Sequence, residues 1–264
     1  MKKLLVFGLT GFAVIGIATF ANAADLAVGP TYKAPPPVAA PVATWAGLYI
    51  GGHIGAGWGD KTLMCAEGCA PLPTGFVDAN GTVSGILGGG QIGYNLQLMP
   101  QWVAGIEADV SAADVKGNYS CFGVFDQHFG FADQCSSRSN VLGTVVGRVG
   151  PTVGQAWIYL LGGAAWTHDH HTNDSVELTT LTVFNYRAEE TRWGYTIGAG
   201  IEYAFTPNWS AKIQYNFMDF GTHTVSFVDQ FSSTVLGQPP SFAEDIKQRI
   251  HTVTFGVNYR FSWL

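Results

Sequence analysis

From Trp45 onward, apolar and polar residues alternate with a period of two, the repeat of a strand whose faces meet different media. Leu48, Ile50, Ile54 and Trp58 share one face of the first strand, and Tyr49, Gly51, His53, Gly55 and Gly57 share the other. A second strand sets Ile86, Ile92, Tyr94 and Leu96 against Gln91, Asn95 and Gln97. A third sets Trp102, Ala104, Ile106, Ala108 and Val110 against Gly105, Glu107 and Asp109. A fourth spans about Asn140 to Val149, and a fifth spans Ala156 to Thr167 with its phase left open by the pattern. The sixth alternates cleanly from Arg192 to Phe205, with Trp193, Tyr195, Ile197, Ala199, Ile201 and Tyr203 on the apolar side. The seventh places Trp209, Ala211, Ile213, Tyr215 and Phe217 opposite Ser210, Lys212, Gln214 and Asn216. The eighth places Val253, Phe255, Val257, Tyr259 and Phe261 opposite Thr252, Thr254, Gly256, Asn258 and Arg260.

The connections alternate as well. Met99-Pro100-Gln101, Pro151 to Gln155 and Thr206-Pro207-Asn208 are short. Between them lie longer polar, acidic or cysteine-bearing stretches near 59–82, 116–139, 168–191 and 221–248, which read as loops. Short turns at one end and long loops at the other mark an outer-membrane barrel, crossed by tilted strands of roughly 10 to 13 residues. The expected fold is all-β: an eight-stranded antiparallel transmembrane barrel with both termini periplasmic.

A soluble β-sandwich also alternates, but it has no need of aromatics at strand ends. All eight Trp fall at expected strand ends. Trp45, Trp102, Trp157, Trp209 and Trp263 fall at the short-turn end, joined by Tyr203, Phe205, Tyr259 and Phe261. Trp58, Trp166 and Trp193 fall at the other. Two aromatic belts at the headgroup layers are expected of a barrel in lipid.

The residues before Trp45 change the picture of where the chain goes. Lys2 and Lys3 precede an uncharged apolar run, Leu4 to Phe20, and Ala21-Asn22-Ala23 supplies a small-x-small cleavage pattern. This reads as an export signal over 1–23, cut after Ala23. A membrane anchor is the rival reading, weakened by shortness and by Gly8, Gly11 and Gly16. Residues 24–44 hold Pro30, Pro35, Pro36, Pro37 and Pro41 among Ala and Val, which predicts an extended periplasmic tether. The barrel then occupies 45–264.

Composition sharpens the class. Hydrophobic residues make up 47% of the chain and charged residues 12%, and no segment after the leader approaches a membrane helix in apolar length. A lipid-facing barrel buries such a surface. Without Lys2 and Lys3 the chain keeps 11 basic against 19 acidic residues, net −8. That lacks the basic footprint of a nucleic-acid partner. The partners expected are outer-membrane lipid and lipopolysaccharide, with host or surface ligands at the loops.

Four segments carry a family resemblance. They are Trp45-Ala46-Gly47-Leu48-Tyr49-Ile50-Gly51-Gly52, Gly88-Gly89-Gly90-Gln91-Ile92-Gly93-Tyr94-Asn95, Gly143-Thr144-Val145-Val146-Gly147-Arg148-Val149-Gly150 and Val257-Asn258-Tyr259-Arg260-Phe261. With the leader, Ala24-Asp25-Leu26 and the proline tether, the chain resembles the alphaproteobacterial outer-membrane immunogenic proteins of the RopB-like, small porin-like family. The resemblance covers nearly the whole chain and is strongest in the strands. It implies a barrel serving envelope integrity and host or surface contact, without a reaction. The family often has Arg where Val146 stands, and Leu264 follows the in-phase Phe261 and Trp263 out of phase. The C-terminal strand is the expected contact for the barrel-assembly machinery.

An eight-stranded barrel is just wide enough for side chains to fill. Its inward faces carry Glu107, Asp109, Arg148, Glu202, Lys212 and Arg260, most of them close to a periplasmic turn. Buried charges need partners, so these are expected to pair into a network that closes the barrel. A narrow porin-like channel for small solutes is the alternative, and a variant of Glu202 or Arg148 in a plug is expected to leak.

The loops hold the remaining chemistry. Cys65, Cys69, Cys121 and Cys135 are disulfide candidates in an exported chain, with three pairings open. Pairing within each loop is the simplest, and pairing across the two loops connects neighbouring strands. His168, His170 and His171 form the densest potential ligand set, which raises a haem- or metal-binding surface receptor as a second alternative. The residues otherwise assign no cofactor, no metal site and no catalytic group. His223, Ser226 and His251 fall near the expected outer rim without a motif that fixes their geometry. The glycine runs near 51–59 and 85–90 precede no helix and so are not phosphate loops.

Overall fold

The computed structural model describes residues 44–67, 74–75, 77–119, 131–177, 182–229 and 241–261. The expected export signal, the tether up to residue 43, Trp263 and Leu264 lie outside them. Eight strands run in order: β1 Gly47–Glu67, β2 Val77–Met99, β3 Trp102–Tyr119, β4 Phe131–Val153, β5 Ala156–Glu177, β6 Thr182–Ala204, β7 Trp209–Asp229 and β8 Ser241–Arg260. Each pairs antiparallel with the next, and β8 returns to β1, with Tyr49 opposite Arg260, to close the barrel. Closure gives every strand a neighbour on both sides and leaves no free edge strand.

The period of two sorts side chains as expected. Ile54 (69% exposed), Ile86 (73%) and Ile106 (66%) point outward with Ile92, Leu160, Ile197, Ile213 and Phe255. An apolar band of this extent does not stay in contact with water. Tyr49, His53, Gln91, Asn95, Glu107 and Arg148 point inward and are buried. In β5 the phase is now plain: Trp157, Tyr159 and Leu161 are inside, and Ile158 and Leu160 are outside.

Three expectations are corrected. First, the strands run 18 to 23 residues, not 10 to 13. The stretch read as a loop at 168–191 is mostly ladder, with Asp169 opposite Glu190 and His170 opposite Glu189. The other three long stretches are likewise largely strand. A strand of 21 residues, such as β1, is about 70 Å long and spans about 50 Å when tilted, roughly twice an apolar band of about 25 Å. Beyond the lipid the outer face meets water, so the apolar face disappears while backbone pairing continues.

Second, two Trp do not belong to a lipid belt. Trp45 and Trp157 are almost wholly buried inside the barrel, with ring centroids 5.7 Å apart. Trp58, Trp102, Trp193 and Trp209 do face outward. Third, the alternation does not keep one phase along whole strands. Asn140 is an extra residue between the pairs Ser139–Asp169 and Val141–His168. Above it Ser137 and Ser139 are inward, and below it Leu142, Thr144, Val146 and Arg148 are. A second shift lies between Asp219 and Thr222, where Gly221 takes φ 68°, a conformation that favours glycine.

The interior is layered. Trp45, Val103, Val146, Trp157, Tyr159, Leu161 and Ala204 form an apolar cluster near the short-turn end. Leu87, Leu142, Ala165, Met218, Phe220 and Ile250 form a second at mid-height. Leu63, Ala79, Cys135, Tyr186, Ala188, Val225, Phe227 and Ile246 form a third in the outer half. Polar side chains fill the levels between them.

Candidate functional site

The lowest polar level draws on all eight strands. Arg148 from β4 lies 3.3 Å from Glu107 of β3 and 3.4 Å from Glu202 of β6. Lys212 of β7 donates to both oxygens of Glu107 at 2.7 Å. Tyr49 of β1 donates to Glu107 at 2.9 Å and accepts from Arg148. Asn95 of β2 accepts from Arg148 at 3.1 Å. Ser210 and Asn258 donate to Glu202 at 2.5 and 2.9 Å. The rings of Tyr49, Trp157 and Tyr159 surround the Arg148 guanidinium with centroids at 5.1, 4.7 and 5.0 Å. Two carboxylates and two cations balance here, and cation–π contact adds to the pairing.

Of the six inward charges singled out from the sequence, Glu107, Arg148, Glu202 and Lys212 meet directly. Asp109 sits to one side and accepts from Thr144. Arg260 lies over the Trp45 ring at 4.9 Å, and its guanidinium has no hydrogen-bond partner among the described residues. The neutral partners Tyr49, Asn95, Ser210 and Asn258 were not singled out. Their inward phase at the same height was the available signal.

Above this level His53 bridges Gln91 and Ser111, each at 2.6 Å. Gln91 in turn donates to Asn258 at 2.7 Å. A cavity of about 20 Å³ lies here, lined by His53, Asp109, Ser111, Lys212 and Gln214 among others. It is large enough for about one water. Leu87, Leu142 and Met218 of the mid-height apolar cluster also line it.

A second charged level occupies the outer half, past Trp58, Trp166 and Trp193 and so outside the lipid-spanning segments. Lys61 donates to Ser137 at 2.6 Å and lies 3.5 Å from Asp169. Asp169 also accepts from Ser139 and Thr167, and Arg192 approaches it at 3.7 Å. Arg192 pairs with Glu190 and donates to the Ile246 carbonyl at 3.1 Å. His171 contacts Ser137 at 3.0 Å and Glu190 at 3.3 Å. Burial pushes the His171 imidazole well below its ordinary pKa, with the Lys61 charge adding to the effect and Asp169 opposing it. Sequence reading missed this level because 168–191 carried no apolar alternation.

The three loop histidines do not form one set. Strand alternation sends His171 inward and leaves His168 and His170 on the outer face. The rings of His168 and His170 meet edge to face, with centroids 4.9 Å apart. His170 Nδ1 lies 3.0 Å from Glu189, and His168 Nδ1 lies 2.9 Å from the Thr191 hydroxyl.

The residues considered for a reaction are also dispersed. His251 pairs with Phe217, His223 with Ile246 and Ser226 with Ala243, so the three are spread along the β7–β8 ladder. His251 faces outward, stacked on Trp58 and bonded to Tyr215 at 2.7 Å. Cys65 and Cys135 are buried on the inner face, and no described cysteine is free. Cys69 and Cys121 lie outside the described residues.

A closed antiparallel barrel, apolar outside and filled with polar and charged layers inside, is a transmembrane β-barrel protein. Residues 11–261 match the family described as outer membrane protein beta-barrel domain. The chain is 32% identical over 251 residues to the 31 kDa outer-membrane immunogenic protein of Brucella melitensis, covering 92% of this chain and 95% of that one. The Brucella suis protein of the same name matches equally. Among solved structures, OprG of Pseudomonas aeruginosa aligns at TM-score 0.47 and 14% identity, over 82% of this chain and 97% of that one. Ail, the attachment invasion locus protein of Yersinia pestis, aligns at 0.31 and 13%, over 80% and 99%. The chain belongs to the outer membrane protein β-barrel domain family, and its place is the Gram-negative outer membrane.

Proposed function

We propose that this protein is a closed, non-enzymatic structural barrel that contributes to envelope integrity and presents its outer strand extensions and loops for surface or host contact. The observation that carries this reading is the filled interior. Two charged levels are interleaved with three apolar clusters, so a solute would meet buried ion pairs and packed aromatics in turn. Opening such a path means separating buried charges from their partners, which is costly. The outer halves of the strands stand well clear of the lipid and offer a rigid platform for recognition. The name of the Brucella relative, an immunogenic protein, supports exposure at the surface.

Planar-bilayer recording tests the reading. Silence at high protein load is the expected result, and stepwise conductance from the intact chain would replace the structural role with that of a channel. Loss of the protein is expected to increase envelope leakage and to reduce surface adhesion. Export belongs to the same proposal: cleavage after Ala23 is expected on N-terminal sequencing of the membrane form. So does oxidation of the cysteines, with Cys65 joined to Cys69 and Cys121 to Cys135. Non-reducing peptide mapping distinguishes this from pairing across the loops.

A further inference from the structure

We infer that His168, His170 and Glu189 form a surface site for one divalent late transition-metal ion, of the Zn²⁺ type. A His-x-His pair on a strand puts both imidazoles on one face, and the antiparallel ladder sets Glu189 directly opposite His170. Each of the three offers one ligand atom, and these atoms all lie within 4.8 Å of one another. His170 Nδ1 and the Glu189 carboxylate lie 3.0 Å apart, close enough to share one ion. Two imidazoles and one carboxylate suit a borderline ion and leave a coordination position for water or an outside ligand.

The surroundings favour this cluster over its inward neighbour. Asp169, His171 and Glu190 also lie within 4.8 Å of one another. That group already holds the protein's own cations, Lys61 and Arg192. A metal ion there would have to displace them. On the outer face the basic neighbours are Arg138, which stands opposite His170 across the β4–β5 ladder and is paired with Asp114 at 3.0 Å, and Arg187, which is turned to Asn185 at 2.8 Å. The Thr191 contact holds the His168 ring, an arrangement that metal-ligating histidines commonly show. The site stands two residues beyond Trp166, whose ring meets Trp193 at 5.6 Å. It is therefore presented on the aqueous side of the outer aromatic belt. The inference does not depend on whether the barrel conducts.

The test uses the full chain, without a polyhistidine tag, folded in detergent micelles and stripped with a chelator. Zn²⁺ alone is titrated against a competing indicator, and Co²⁺ absorption reports the ligand field. One equivalent should bind. His168→Ala, His170→Ala and Glu189→Gln should each weaken binding by at least about tenfold, since even supporting contacts to a metal site are worth about 10–100-fold. His171→Gln should leave it unchanged. These outer-face variants remove no interior contact, and a retained heat-modifiable band shift confirms folding. No binding by the parent chain would overturn the site. So would binding that survives the double variant of His168 and His170, or that is lost with His171→Gln instead.

Discussion

Tyr49 and Gly93 face each other across the β1–β2 ladder, and the phenol occupies the space that a side chain at 93 would take. A Cβ on Gly93 would stand 2.1 Å from the Tyr49 hydroxyl and 2.5 Å from the Ile106 carbonyl. The missing side chain lets Tyr49 lie flat over β2 and reach Glu107 on β3 at 2.9 Å. One glycine thus joins the first strand to the lower ion-pair level.

Gly93→Ala is therefore expected to destabilise the barrel. Overpacking alone costs about 1–3 kcal/mol, and a displaced Tyr49 also loses a hydrogen bond to a charged group, worth about 1.5–3 kcal/mol. Tyr49→Phe removes only the second contribution. Urea unfolding in detergent should show the double variant less destabilised than the sum of the singles, because both act on one contact. Strict additivity would mean that Gly93 matters for some reason other than Tyr49.

Arg148→Ala tests the ion pairs. It leaves Glu202 without its cation and empties the aromatic cage, and breaking such a buried pair costs about 3–5 kcal/mol. The layered interior alters the expected conductance of this variant. The mid-height cluster around Met218, Phe220 and Ile250 stays intact, so the single variant should remain silent rather than leak. Conductance should appear only when the mid-height and outer levels are opened as well, as by adding Phe220→Ala and Phe227→Ala. A leaking Arg148→Ala would show that the lower level alone closes the barrel.

The fold was legible in the chain wherever the barrel meets lipid. Between the aromatic belts the outward face must be apolar, so Ile50, Ile54, Ile197 and Ile213 announced strand and phase together. Outside the lipid that constraint lapses, and the paired residues of β5 and β6 beyond Trp166 looked like loop. Asn140 and Gly221 shift the ladder by a residue, and a period-two reading cannot carry across them. In β5 both faces are apolar, because Trp157, Tyr159 and Leu161 meet an internal cluster while Ile158 and Leu160 meet lipid. Phase was undecidable there for that reason. Four of the six inward charges meet in one cluster, since inward phase and shared height were both visible. The outer cluster of Lys61, Asp169 and Arg192 was hidden by the misread loop.

Fluorescence separates the two kinds of Trp. In variants keeping one Trp each, Trp102, Trp193 and Trp209 should be quenched by lipids brominated on the acyl chain near the headgroup. Trp45 and Trp157 should resist both these lipids and aqueous acrylamide, because they are nearly inaccessible. Strong lipid quenching of Trp157 would place its ring outside the barrel and dissolve the cage around Arg148.

Lys61 gives the outer level a pH signature. It is fully buried beyond Trp58, and burial pulls its pKa down from 10.5 to about 8, against the attraction of Asp169 and with the Arg192 charge adding to the fall. The unfolded chain keeps the lysine proton up to about 10.5, whereas the folded chain releases it near 8. Between these values the unfolded state binds more protons, so this group makes stability rise with pH across that window. Below it both states are protonated and the cost of holding the charge inside is complete. Lys61→Met removes the titration while keeping most of the side-chain volume. The difference between parent and variant urea midpoints should therefore shift in the parent's favour as pH rises from about 8 to about 10.5. Other groups that titrate in the window, Arg192 among them, contribute to both curves and largely cancel. Parallel curves would mean that Lys61 keeps an ordinary pKa, and that water reaches it from the outer mouth of the barrel.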